Sequence, residues 1–187
     1  MPRPDPAELG VLLRRLHRLP PPPVDLPAYR PLASLRAVVA TAACLSADDR
    51  AWLVHAADSL LAYYGTLEFG LGSGHLGNLL FDTIGGRWLL GDWDETATGP
   101  RELDLANTYQ GIRMGRTTAE LDRFAQAYGH DLRDWPGLAT LRGLRDLHSL
   151  GAFIRRADHG DDQAAAVLRH RLHLLRNGDT TTPWPTP

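Results

Sequence analysis

Strand-forming sequence is confined to one short stretch of this chain. Two apolar runs, 78–83 and 87–93, are separated by Ile84-Gly85-Gly86, the kind of turn that joins antiparallel strands. Every other periodic segment repeats at helical spacing. The fold class that follows is mostly α with one small β-hairpin. Over 7–19, Leu9, Leu12, Leu13, Leu16 and Leu19 share a face, with Arg14, Arg15 and Arg18 opposite. Pro20 to Pro23 end that helix, because proline lacks the N–H and clashes with the preceding turn. A second helix is predicted over 32–45. Ser46 is a good N-cap for a long helix over 49–67, with Asp48 and Asp49 at the positive end of its dipole. Trp52, Leu53, Ala56, Leu60, Leu61 and Tyr64 form its expected inner stripe.

Beyond the hairpin, 101–109 reads as helix. Thr117-Thr118-Ala119-Glu120 is a capping box opening a helix to Tyr128. The last helices are expected at 136–156 and 161–176, with Asn177-Gly178 as a stop. Residues 1–179 are expected to form a single domain and 180–187 a disordered tail.

At 187 residues the chain can bury one good core, and its net charge is −2. No clustered basic face suggests nucleic acid, and Arg, Asp or Gly break every long apolar run, so no membrane span is expected. The first six residues lack the apolar core of a signal peptide. Cys44 is the only cysteine, so no internal disulfide forms, and a cytoplasmic location is expected. It sits in an Ala/Val/Leu run and reads as a small core residue. All 20 basic residues are Arg; there is no Lys. Protein-kinase-like and P-loop enzymes hold nucleotide phosphates with a Lys, which this sequence cannot supply.

Chemistry-bearing residues gather at the hairpin: Gly72-Ser73-Gly74-His75-Leu76-Gly77-Asn78 before it and Gly91-Asp92-Trp93-Asp94 at its end. Gly72, Gly74 and Gly77 match a dinucleotide fingerprint only formally, since a long helix precedes and a strand follows, the reverse of what that motif needs. Asp92 and Asp94 flank Trp93, and in a period-two strand they share a side. His75 titrates near neutrality and reads either as structural or as a general acid/base. Ser73 has no sequence partner that would make it a nucleophile. His170 and His173 lie three apart on a helix and are expected to be solvated or packed against their own helix.

This loop and hairpin resemble the catalytic centre of the aminoglycoside phosphotransferase-like family, which includes choline and homoserine kinases. The family pattern is His-Gly-Asp-x-His-x-x-Asn, a strand, a turn, and a strand ending in Asp-Trp/Phe-Asp/Glu. Gly72, His75, Asn78, Asp92 and Asp94 match it. Leu71 stands where the family has His, and Ser73 where it has the catalytic Asp. Leu12 to Leu19 also resemble its first helix after the hinge, and Gly99-Pro100-Arg101-Glu102-Leu103-Asp104-Leu105-Ala106 its Gly-Pro-x-x-x-Asp-Leu-Ala. Tyr128-Gly129-His130-Asp131-Leu132 resembles a helix exit before its last helices.

The resemblance implies a protein-kinase-like C-terminal lobe without its ATP-binding N-terminal lobe. It implies Mg²⁺ at Asp92 and Asn78 where the ion is retained, a loop-supporting role for Gly72, Ser73 and His75, and a structural one for Asp104. Without that lobe no cofactor is expected. The leading functional expectation is a degenerate phosphotransferase repurposed to bind a small organic molecule. His75, Asp92 and Asp94 would then do acid–base work in an ATP-independent tailoring enzyme of secondary metabolism, such as a cyclase, isomerase or dehydratase. The alternatives are a non-catalytic pseudokinase lobe, binding a ligand or a protein, and a split phosphotransferase with a separate N-lobe. A homodimer is expected to cover the face an N-lobe would otherwise occupy.

Overall fold

The computed structural model describes residues 5–20, 23–75, 78–82, 87–91 and 97–184, with backbone alone for the strand residues from 75 to 91. Its elements are helices α1 (Pro6–Leu16), α2 (Ala33–Thr41) and α3 (Ala47–Tyr64), and strands β1 (Ser73–His75), β2 (Asn78–Asp82), β3 (Arg87–Gly91) and β4 (Thr98–Pro100). Helix α4 (Glu102–Gln110) follows, then a 3₁₀ turn (Gly111–Met114), α5 (Thr118–Tyr128), α6 (Leu138–His148), α7 (Leu150–Asp158) and α8 (Asp162–Arg176). The fold is mostly helical with small antiparallel strand pairs. No helix among the described residues is long and apolar enough to cross a membrane.

The chain forms two compact units, each built from separated segments. The first holds Met1–Tyr29, Glu68–Tyr109 and Arg116–Leu138; the second holds Arg30–Leu67, Gln110–Gly115 and Ala139–Pro187. Because the chain passes repeatedly from one unit to the other, no single linker marks a boundary in the sequence.

In the first unit α1 packs on α5. Asp5 caps α1 by accepting from the Ala7 N–H at 2.9 Å, and Pro6 supplies a φ suited to the first turn. A Cβ on Gly10 would lie 2.7 Å from the Phe124 carbonyl oxygen, so glycine sets how closely the helices approach. Of the expected leucine face, Leu13 and Leu16 are buried, while Leu19, beyond the helix end, is 60% exposed. The capping box on α5 forms as expected, the Thr117 side chain accepting from the Glu120 N–H and Glu120 from the Thr117 N–H. The hairpin also forms, pairing Asn78 with Gly91 and Asp82 with Arg87; its Ile84-Gly85-Gly86 turn lies outside the described residues. A second strand pair, absent from the sequence reading, joins β1 to β4 in the register Ser73–Pro100 to His75–Thr98. Three-residue strands are too short to show a period.

In the second unit α2, α3, α7 and α8 close around Leu35, Leu53, Leu150 and Ile154, all fully buried. Ser46 caps α3 through the Asp49 N–H. Of the expected inner stripe only Leu53 is fully buried, joined by Ala57; Trp52, Ala56, Leu60, Leu61 and Tyr64 are half-buried. Helical spacing shows which side faces inward, not how much of it is covered. The helix expected over 136–156 is two helices, broken at Ser149. No Gly or Pro marks the break: the Ser149 hydroxyl donates to the Asp146 carbonyl at 2.8 Å, competing for a backbone acceptor.

Two further expectations fail in this unit. Cys44 is exposed, its backbone N–H donating to Asp158 at 2.7 Å; partial burial and the Asp158 carboxylate push its thiol up to about 11. The C-terminal segment through Trp184 is not a free tail, because Trp184 is buried against the Arg113 guanidinium, 4.8 Å from its ring centroid. His170 and His173 are exposed, as expected.

Candidate functional site

The 71–74 loop is held from below by the start of α4. The Leu71 N–H donates to Glu102 Oε1 at 2.8 Å, and the Arg101 N–H to the Gly72 carbonyl at 3.1 Å. Gly72 has φ +76, a conformation that favours glycine, with open space where a Cβ would point. Arg101 also reaches back, its Nε donating to the Ser73 carbonyl at 3.1 Å. Gly74 is close-packed: a Cβ there would meet Arg101 Cγ at 2.8 Å and His17 Cδ2 at 3.3 Å.

Beneath the loop lies a buried polar cluster. His17 Nε2 is 3.0 Å from Asp104 Oδ2, and its Nδ1 is 2.8 Å from the Tyr128 hydroxyl. An ionised carboxylate only accepts, so Nε2 carries the proton, and in the neutral ring Nδ1 accepts the Tyr128 O–H. Burial raises the Tyr128 pKa and keeps that proton in place. With both ring nitrogens committed, His17 cannot serve as a base toward Ser73, although both line the same cavity. Glu102 is buried beside them, and its Oε2 has no hydrogen-bond partner among the described residues.

That cavity, of about 320 Å³, is bounded by the end of α1, the segment after it, and the β1–β4 strands. Ser73, Thr98, Arg101, His17 and Asp25 supply its polar wall, and Leu16, Leu19, Val24 and Leu26 its apolar one. The segment carrying Asp25 is tied to β4: the Thr98 N–H donates to the Pro27 carbonyl at 2.8 Å, and the Tyr29 N–H to the Thr98 carbonyl at 2.9 Å.

Ser73 is exposed at this cavity, and Asp104 is buried under it. His75 ends β1 and Asn78 begins β2, both known by backbone position alone. Asn78 pairs with Gly91, so the strand register puts the start of the 78–82 run opposite the residue preceding Asp92. Asp92 and Asp94 themselves lie outside the described residues. Among the described side chains no group of three His, Cys, Asp or Glu could hold a metal ion. Arg101, Asp25 and His17 were not singled out from the sequence as site residues. The run Leu103-Asp104-Leu105-Ala106 pointed to Asp104 but gave no sign that its partner is 87 positions away.

A sequence profile described as the phosphotransferase enzyme family, APH, matches residues 6–144. The chain belongs to this family. Comparison with curated proteins finds no match. Among solved structures, an amicoumacin kinase in complex with AMP-PNP, Ca²⁺ and Ami superposes with a TM-score of 0.70 at 15% identity, covering 96% of this chain and 60% of that one. A choline/ethanolamine kinase family protein from Mesorhizobium loti gives 0.64 at 16% identity, covering 94% of this chain and 65% of that one. These likenesses establish a kinase-like fold, and the chain spans less than two thirds of either neighbour's length. A C-lobe-like part of that fold fits both the coverage and the helical content.

Proposed function

We propose that this phosphotransferase-family chain no longer transfers phosphate by itself and binds a small organic molecule beside the 72–78 loop. The observation that carries the reading is Ser73. It stands at the position of the family's catalytic Asp and lines a cavity of small-molecule size, where a hydroxyl cannot accept a substrate proton as a carboxylate does. The lack of any Lys supports it. In this reading His75, Asp92 and Asp94 carry out acid–base chemistry on the bound molecule, as in a cyclase, isomerase or dehydratase. Asn78 and Asp92 offer amide and carboxylate oxygens of the kind Mg²⁺ prefers, and the register that brings Asn78 beside Gly91 suits a shared ion. When bound, such an ion would supply charge stabilisation of an anionic group.

Incubation with labelled ATP and a panel of alcohol and amine acceptors is expected to give no phosphorylated product. Turnover that vanishes in Asp92→Ala would overturn the proposal. The acid–base part is tested by Asp92→Asn and Asp94→Asn. A catalytic role predicts about 10²-fold or greater loss of rate with little change in melting temperature; a structural role predicts the reverse.

One observation favours a second reading. The C-lobe-like fold would also suit a split phosphotransferase, completed by a nucleotide-binding lobe from another polypeptide. Calorimetry with Mg·ATP separates the two, because the repurposed lobe is expected to show no isotherm at millimolar nucleotide. A two-fold homodimer is part of the first reading, and light scattering at tens of micromolar tests it.

A further inference from the structure

We propose that the cavity beside Ser73 takes an amphiphile with an anionic head, carboxylate or phosphate, the head on Arg101 and the apolar body along Leu16, Leu19 and Val24. This rests on the reading of the chain as a small-molecule binder and names the class of molecule.

Three observations carry it. First, among the described residues one arginine lines the cavity, Arg101, and it is held in place. Arg101 is anchored through its backbone N–H to the Gly72 carbonyl and through Nε to the Ser73 carbonyl, each at 3.1 Å, and its stem lies against Gly74. A guanidinium has five N–H donors in a fixed fork, of which the Ser73 carbonyl takes only the Nε proton. A positioned Arg recognises carboxylate and phosphate with little ordering cost. Second, the residue next to it is a hydroxyl. A carboxylate at position 73, as in the family pattern, would set a fixed negative charge beside any anion approaching Arg101. Ser73 removes that repulsion and leaves an exposed side chain able to donate. Third, the opposite wall is apolar and open. Leu19 and Val24, 60% and 62% exposed, are among the few large hydrophobic side chains left in solvent in the described residues, and both line this cavity. Exposed apolar groups converging on one concave site mark a ligand surface.

The other titratable groups at the cavity fit this assignment. His17 turns a carbon edge toward Gly74, with its nitrogens spent on Asp104 and Tyr128. Asp25 is exposed, so water screens its charge. At about 320 Å³ the cavity is near the lower end of the roughly 300–1,000 Å³ typical of small-molecule sites.

The test is calorimetry of the full chain with four probes of one chain length: octanoate, octyl phosphate, octylamine and octanol. At least one of the two anions is expected to bind about tenfold or more tightly than both the amine and the alcohol. Octyl phosphate ahead of octanoate would identify a phosphate head, and the reverse order a carboxylate. Arg101→Gln should remove the preference. Ser73→Asp, at an exposed position, should do the same with unchanged circular dichroism, and carries the test if Arg101→Gln fails to fold. Preference for octylamine, equal binding of octanol, anion binding indifferent to Ser73→Asp, or no binding of any probe at millimolar concentration would each overturn the proposal. Amine or alcohol binding would leave the small-molecule reading standing, and the labelled-ATP and carboxamide experiments judge that reading independently.

Discussion

Beneath the 71–74 loop, the buried polar groups are an imidazole, a phenol and two carboxylates. In the second unit they are the guanidinium of Arg113, the carboxylate of Asp146 and the carbonyls of the C-terminal segment. The first cluster is a chain of struts: Tyr128 to His17 to Asp104, with Glu102 reaching the Leu71 N–H. Its upper edge faces a cavity. The second is a charge sealed inside protein. Arg113 Nε and Nη2 donate to Asp146 Oδ2 at 3.2 and 3.1 Å, and its Nη1 to the Thr182 carbonyl at 3.0 Å. The Trp184 ring lies between two guanidiniums, with Arg171 4.3 Å from its centroid. Burial raises the Asp146 pKa even with Arg113 and Gln110 donating to it, and lowers Arg171 to about 10. One cluster shapes a loop beside a cavity; the other fastens the segment through Trp184. Buried polarity is therefore no sign of function by itself. The adjoining cavity is what separates the two.

The comparison predicts its own ranking of damage. The largest effect is expected from Asp146→Ala, which takes from the fully buried Arg113 its close carboxylate and leaves it the partly exposed Asp179, 3.5 Å from Nη1, at about 3–5 kcal/mol in denaturant unfolding. Replacing both partners by Leu and Met should recover most of that loss; failure to recover would mean that the pair does more than neutralise charge. Trp184→Ala should follow, at about 3 kcal/mol for an aromatic ring removed from a packed site. A variant as stable as the parent would return the C-terminal segment to the disordered tail expected from sequence.

His17→Ala strands the Tyr128 hydroxyl and removes one hydrogen bond from Asp104, at about 1–3 kcal/mol, and should also weaken binding at the Ser73 cavity, whereas Trp184→Ala should not. Equal effects of the two on ligand binding would erase the distinction between the clusters. Gly72→Ala forces a side chain into the left-handed region at about 1–2 kcal/mol, with no steric clash.

The smallest expected effect is at the surface. Arg133 holds the Asp131 carboxyl at about 2, below its ordinary value of 3.8. The folded value lies below the unfolded one, so this stabilisation is present in full above about pH 4 and disappears as the pH falls through about 2. Asp131→Asn should thus be slightly less stable than the parent at pH 5, with most of the difference gone near pH 2; a constant difference would assign the effect to packing.

Local signals in the chain identified several features correctly, each within a few residues of its cause. Ser46 and the Thr117–Glu120 box opened their helices, and Gly85-Gly86 separated two strands that do pair. The misses involve partners distant in sequence. Cys44 sits in an apolar run yet is exposed, because its place is set by Asp158, 114 positions on. Ser149 breaks a helix with no Gly or Pro to announce it. Arg101 was read only as part of the Gly99–Ala106 run and the start of a helix, with no sign that it lines a cavity.

By itself, then, the sequence determined the fold class and the family, since periodicity, capping and motif spacing are written in neighbouring residues. Tertiary structure alone decided that His17 has both nitrogens occupied, that Arg101 is fixed on the wall of a cavity, and that Trp184 is buried over Arg113. Such facts depend on which distant segments meet, and long-range contact leaves no periodic trace in a single chain.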